Sequence, residues 1–156
     1  MRTESSGFLY SDETTDVDLQ FVHHELSHSY WAGGIPFEVV AKSVQHSMCF
    51  SVFSNGQQVA FARVITDQAT FAYLCDVIVN EHFRGKGIGK QLMKFIMEHP
   101  ELQQLRRFML ATRDAHTLYE KFGFRLLSAP EKMMEITRPD IYKAGQSGST
   151  DSPSNS

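Results

Sequence analysis

The chain has 156 residues, 42% hydrophobic and 21% charged, with a formal net charge of −3. Those proportions fit one ordinary globular domain and leave no basic footprint for nucleic acid. No run approaches the roughly 18 apolar residues of a membrane span, and the polar, acidic stretch 1–18 has no signal-peptide core.

Phe8-Leu9-Tyr10 is expected to form a short first strand. Thr15, with Asp18 three residues on, has the form of a capping box in which Asp replaces Glu. Leu19, Val22, Leu26 and Tyr30 follow at helical spacing, which predicts a helix over 16–30. Gly33-Gly34 breaks it. Pro36 suits the first turn of a second helix that carries Phe37, Val40 and Val44 inward. Met48–Phe53 and Val59–Thr66 read as strands joined at Ser54-Asn55-Gly56, because Asn-Gly accepts positive φ at both central positions of a hairpin turn. Cys49 lies in the first of these runs and Cys75 in a later one; both are expected to be buried, reduced thiols of a cytoplasmic protein. Asp67-Gln68 turns the chain into a third long strand, Phe71–Val79.

Beyond that strand the sequence runs Asn80-Glu81-His82-Phe83-Arg84-Gly85-Lys86-Gly87-Ile88-Gly89-Lys90, and from Ile88 the spacing of Ile88, Leu92, Phe95 and Ile96 becomes helical. Pro100 ends that helix. Arg107–Ala111 is the next strand. Asp114 is expected to cap a short helix, Ala115–Phe122, which Gly123 terminates. Phe124–Leu127 and Met134–Thr137 read as two last strands, and the Ser-, Gly- and Pro-rich stretch 144–156 as a disordered tail after a single domain over 1–143. The order predicts an α/β (α+β mixed) fold: a central, mixed, mainly antiparallel twisted sheet of six to seven strands, flanked by about four helices.

A glycine loop that opens into a helix presents free N–H groups and a positive dipole end, which suits phosphate. A nucleotide P-loop would need Ser or Thr after Gly89-Lys90, where Gln91 stands, and the dinucleotide fingerprint would need glycine at position 90. What remains is Arg84-x-x-Gly87-x-Gly89 after an apolar strand. This resembles the acetyl-coenzyme A loop of the GNAT superfamily of N-acetyltransferases. A second stretch, Tyr119-Glu120-Lys121-Phe122-Gly123-Phe124, is also similar to a motif of that family. The order of elements agrees too, and the resemblance covers about residues 5–137.

The resemblance implies that Arg84, Gly85, Lys86, Gly87, Ile88, Gly89 and Lys90 hold the pyrophosphate of acetyl-coenzyme A, and that the backbone of Val77, Ile78 and Val79 holds its pantetheine arm. It implies that Tyr119 lies near the cofactor sulfur. A phenol of pKa about 10 can protonate a departing thiolate. It further implies that Tyr30, Trp31 and Phe37 line the acceptor pocket. Many family members carry asparagine where this chain has Thr112 and Asp114, and proline where it has Glu81.

An amine must shed a proton before it attacks. Asp76, an acid inside the apolar strand Leu74-Cys75-Asp76-Val77, is the candidate base, either directly or through a water it positions. The other reading of Asp76 is a structural ion pair with Arg63, and Arg63 could equally bind a substrate carboxylate. His24-Glu25-Leu26-Ser27-His28 matches the zinc-protease pattern, but Leu26 belongs to the core stripe and no third ligand follows at suitable spacing, so no metal is expected.

The expected activity is transfer of acetyl from acetyl-coenzyme A to a primary amine of a small molecule, in a ternary complex, by a monomer or homodimer without nucleic-acid or membrane partners. The alternatives are a protein N-terminal or lysine acetyltransferase and a non-catalytic acyl-coenzyme A sensor.

Overall fold

The computed structural model describes residues 1–143, so the tail expected over 144–156 lies outside the described residues. Among the described residues one sheet has six strands in sequence order: β1 (Arg2–Ser5), β2 (Phe8–Ser11), β3 (Met48–Ser54), β4 (Gln57–Thr66), β5 (Phe71–Val79) and β6 (Arg107–Leu110). Neighbours are antiparallel except β5 and β6, which are parallel. Four helices flank the sheet: α1 (Leu19–Ser27), α2 (Phe37–Gln45), α3 (Ile88–Met97) and α4 (His116–Glu120). The parallel pair is joined by α3, as a parallel connection requires.

The two-residue turns follow from backbone chemistry. Asn55 and Gly56 both have positive φ between β3 and β4, and Ser6 and Gly7 repeat the arrangement between β1 and β2. Strand β1 was not expected from the sequence: its residues Arg-Thr-Glu-Ser lie at the sheet edge, largely exposed, and carry no apolar alternation.

Two cores result. On one face Val22, Leu26, Ala32, Val40 and Val44 of the α1–α2 region pack on Cys49, Phe61 and Ile78. On the other, Ile88, Leu92, Met93 and Ile96 of α3 pack on Phe50, Val52, Ala62, Val64, Ala72 and Leu74. Phe95 is only partly buried and sets its ring against Tyr10 and Phe50.

Several expected boundaries are corrected. The first helix runs 19–27, not 16–30, and Asp18, not Thr15, caps it, accepting from the N–H groups of Gln20 and Phe21. Ser27 and Ser29 donate back to the carbonyls of His24 and Leu26, which competes with helix continuation. Pro36 caps α2 rather than entering it. Phe37 does not point inward: at the first residue of α2 it lies beyond the buried stripe, 43% exposed, with its ring edge-on to His23.

Asp114 does not cap the last helix. Thr112 Oγ1 accepts from the Ala115 N–H instead, and α4 is only His116–Glu120. The two strands expected over 124–127 and 134–137 do not form. Phe124 gives its N–H to the Tyr119 carbonyl while Gly123, at φ 95°, gives its own to Glu120, which closes the helix in a Schellman arrangement. Met134 and Ile136 are 96% and 90% exposed, so their apolar alternation meets no core to hold it as a strand.

Candidate active site

The site begins with a break in β5. Asp76 has φ 52°, a left-handed conformation that Asp tolerates better than most residues. The register with β4 passes from Arg63↔Cys75 to Phe61↔Ile78, so Asp76 and Val77 together oppose Ala62 as a bulge. The extra residue reverses the alternation. Ala72 and Leu74 belong to the α3-side core; beyond the bulge Val77 and Val79 pack there, while Ile78 joins the α1–α2 core.

The parallel pairing with β6 stops at Leu74↔Leu110, and among the described residues no strand accompanies β5 on that side as it continues to Val79. The two strands therefore part. Between them lies a cavity of about 490 Å³, lined by Tyr30, Trp31, Tyr73 to Val77, Leu110 to Ala115, and Tyr119. A second recess of about 820 Å³ adjoins it, running past Val77–Glu81 to Arg84 and bordered by His24, Glu25 and His28 of α1. Tyr30, Trp31, Val77, Arg113 and Asp114 border both, so the two are chambers of one cleft.

The glycine loop continues directly from this edge. Asn80 gives its N–H to the Val59 carbonyl, accepts from His82, and donates to Glu25 Oε1 at 2.8 Å. Arg84 Nε donates to the Val79 carbonyl at 3.3 Å. Gly85 and Gly87 have φ of 79° and 78°, and Gly87 caps α3. A side chain at either would meet no protein atom within 4 Å, so the loop faces open space. The first-turn N–H groups of Ile88, Gly89 and Lys90 have no acceptor within the helix. Open space over glycine backbone, a free helix start and the cations Arg84, Lys86 and Lys90 fit a pyrophosphate, and the unaccompanied edge of Val77–Val79 fits an amide-bearing arm.

In the inner chamber, Asp76 accepts Trp31 Nε1–H at 3.0 Å through Oδ1 and Arg63 Nε–H at 2.9 Å through Oδ2. Arg63 gives a further hydrogen bond to Ser47. Burial works against the Arg63 charge, yet Asp76 raises its pKa above the ordinary value. The Arg113 guanidinium lies 3.7 Å over the Tyr30 ring, and Tyr30 packs edge-on against Trp31. Tyr119, 8% exposed, closes the far wall. Burial raises its phenol pKa, with smaller contributions from Tyr30 and Asp114, so the proton stays on at neutral pH. Burial likewise pushes the Cys75 thiol up to about 12.

The structure thus lines one cleft with Val77 to Val79, Arg84, Tyr119, Asp76, Tyr30 and Trp31, and Gly85 to Lys90 follow Arg84 along the chain. It places Arg63 behind Asp76 rather than on the cavity wall, and Phe37 away from both chambers. Tyr73 and Arg113 also line the cleft. Tyr73 was legible as the position opposite to the buried Ala72 and Leu74, whereas Arg113 carries no sequence signal. The two histidines of the His-Glu-x-x-His stretch have ring centroids 4.6 Å apart, Glu25 is bonded to Asn80, and His28 Nδ1 lies 2.7 Å from the His24 carbonyl. Among the described residues no three metal-ligating side chains converge.

The family model for the GNAT acetyltransferase domain matches residues 45–126. A GNAT-family protein of known structure from Xanthomonas campestris pv. campestris is 45% identical, covers 90% of this chain and 99% of its own, and superposes with a TM-score of 0.87. A Gibberella zeae protein, whose name assigns it provisionally to the acetyltransferases, is 28% identical over 135 residues, 73% of this chain and 76% of its own. At the level of fold alone, a GNAT acetyltransferase from Elizabethkingia anophelis, solved with acetyl-CoA bound, is 16% identical with a TM-score of 0.61 over 86% of this chain and 90% of its own. The chain belongs to the GNAT family of acetyl-CoA-dependent N-acetyltransferases.

Proposed function

We propose that the chain acetylates the primary amine of a small molecule by direct attack in a ternary complex. The observation that carries this is the meeting of three features in one cavity of about 490 Å³: the free edge of β5, the Tyr119 hydroxyl and the α1–α2 loop. That volume is in the range of small-molecule sites.

Arg84 to Lys90 hold the pyrophosphate and Val77 to Val79 hold the pantetheine arm. When bound, acetyl-CoA supplies an activated acetyl thioester. The chain then orients the acceptor, supports its carbonyl and moves two protons. Backbone N–H groups past the bulge donate to the thioester oxygen as charge builds there. The acceptor ammonium loses a proton to Asp76 or to a water that Asp76 positions. The C–N bond forms and the C–S bond breaks; Tyr119 Oη gives its proton to the departing sulfur, and the second proton of the attacking nitrogen leaves to solvent, from which Tyr119 is reprotonated. Unpaired thiols suit the reducing cytoplasm. No helix among the described residues is long and apolar enough to cross a membrane.

The test is release of free thiol from acetyl-CoA across a panel of small amines and peptides, with the product weighed. Acetylation of one or more small amines is expected. Acetylation of peptide amines alone, or tight acetyl-CoA binding without any transfer, overturns the proposal.

A further inference from the structure

We infer that the acceptor is an arylalkyl monoamine, a flat ring carrying an ammonium and no carboxylate; this rests on the acetyl-transfer function proposed above and names its substrate class. Four aromatic side chains, Tyr30, Trp31, Tyr73 and Tyr119, line the inner chamber of about 490 Å³, with Leu74, Leu110 and Ala111 among the remaining wall. So many rings around a single space favour a planar guest, through edge and face contacts worth more than burial alone.

The charges on the wall select the sign. Asp114 and Arg113, 4.0 Å apart on the wall, offset each other, which leaves Asp76 as the carboxylate that sets the sign. Arg63 pairs with Asp76 through Oδ2 from behind and outside the lining, so on the chamber side the carboxylate meets no cation of its own. The Asp76 carboxylate keeps lone pairs beyond the two bonds it accepts from Trp31 and Arg63. The Tyr30 face already holds a cation, the Arg113 guanidinium at 3.7 Å. Aromatic faces beside a carboxylate attract ammonium and repel a second carboxylate. A polyhydroxylated amine would leave its hydroxyls against rings and aliphatic carbons, which costs their hydration.

Trp31 is the chain's single tryptophan and sits in the chamber wall, so its fluorescence reports occupancy independently of turnover. The probes are 2-phenylethylamine, phenylalanine, which adds a carboxylate to the same frame, and butylamine, which lacks the ring. Each is titrated against the full chain with coenzyme A present, watching Trp31, and in parallel with acetyl-CoA, watching thiol release. 2-Phenylethylamine is expected to quench saturably and to bind about tenfold or more tighter than the other two. Tyr30→Leu should weaken it by about fivefold or more, and Tyr30→Phe should restore it, since the ring face is what counts. Tyr30 is 57% exposed, so neither change threatens folding.

No saturable quenching by 2-phenylethylamine, equal or better binding of phenylalanine or butylamine, or an unaffected Tyr30→Leu overturns the inference. The two failures separate cleanly. Preferred binding of 2-phenylethylamine without thiol release leaves the ligand class standing and removes the acetyl-transfer function. Transfer to phenylalanine or butylamine in preference does the reverse.

Discussion

Arg63 and Asp76 meet at 2.9 Å across the β4–β5 pair, at the one residue of β5 whose φ is positive. The ion pair therefore sits on the bulge that turns Val77 to Val79 toward the cleft. Its side chains are 16% and 10% exposed, so it is partly screened and worth less than a fully buried pair. Asp76→Asn keeps a residue that accepts the left-handed conformation but strips the charge from the half-buried guanidinium. Melting should fall by roughly 5 °C, corresponding to about 2 kcal/mol. A pH–rate profile run beside the melt separates the roles: a base lost flattens the acidic limb, a clamp lost lowers the melting temperature first. An unchanged melting temperature would show that the pair does not hold the bulge.

At Gly87 the demand is conformational before it is spatial. Its φ is 78° and nothing lies within 4 Å of where a side chain would start. Gly87→Ala should cost about 1 kcal/mol of backbone strain. Gly87→Glu adds bulk and negative charge over the free N–H groups of α3. Calorimetry should then record acetyl-CoA affinity reduced by about tenfold or more while the chain stays folded. Unchanged affinity would detach the loop from cofactor binding.

Tyr119→Phe keeps the ring that packs on Phe124 and removes only the hydroxyl. If that hydroxyl protonates the leaving sulfur, turnover should fall by roughly 10²-fold with coenzyme A affinity unchanged. Full turnover, with chemistry shown to limit the rate, would assign the proton to water.

Cys75 lines the chamber, and a covalent acetyl-cysteine is the obvious rival to direct attack. With its thiol pushed up to about 12, very little thiolate exists at neutral pH. Cys75→Ala should therefore retain most of the turnover, and mass spectrometry of the wild type mixed with acetyl-CoA alone should detect no acetylated chain. A loss beyond about tenfold, together with such an adduct, would establish a two-step route.

Asp16 offers a pH test far from the cleft. Hydrogen bonds from Arg2 and then Ser11 lower its pKa from 3.8 to about 2. A lowered folded-state value contributes stability that is complete above pH 3.8 and is lost as pH falls toward 2. The melting temperature of Arg2→Ala should lie below that of the wild type at pH 5, and the gap should close as pH approaches 2. A gap that persists at the lowest pH would point to packing of the Arg2 stem instead.

The sequence was most informative where local chemistry decides the backbone. Asn55-Gly56, Gly85-x-Gly87 and Gly123 each forced a conformation that few other residues accept, and Tyr119 was named through the resemblance of residues 119–124 to a family motif. It was least informative where tertiary pairing decides. β1 forms because β2 offers an edge to pair with, not because Arg2 to Ser5 are apolar. Met134 and Ile136 look like a strand and are not one, since nothing covers them. The bulge at Asp76 left no mark that periodicity could detect, because one inserted residue reverses the alternation midway along an otherwise regular strand. Arg63 and Trp31 could be named as site residues, but only the fold reveals that both bind the same carboxylate.

The last described turns pass beside the α1–α2 loop. A side chain on Gly34 would collide with the carbonyl oxygen of Tyr142, and Tyr30, Trp31, Pro139 and Lys143 share one small recess. Pro139 to Lys143 therefore lie beside Tyr30 and Trp31, two of the aromatic side chains that line the cleft. At the other terminus the Met1 ammonium pairs with Asp12 and Glu13, and a fusion there would exchange that charge for an amide, but far from the cleft. An affinity handle meant to leave Tyr30 and Trp31 undisturbed belongs at the β1 edge of the sheet, away from Pro139 to Lys143.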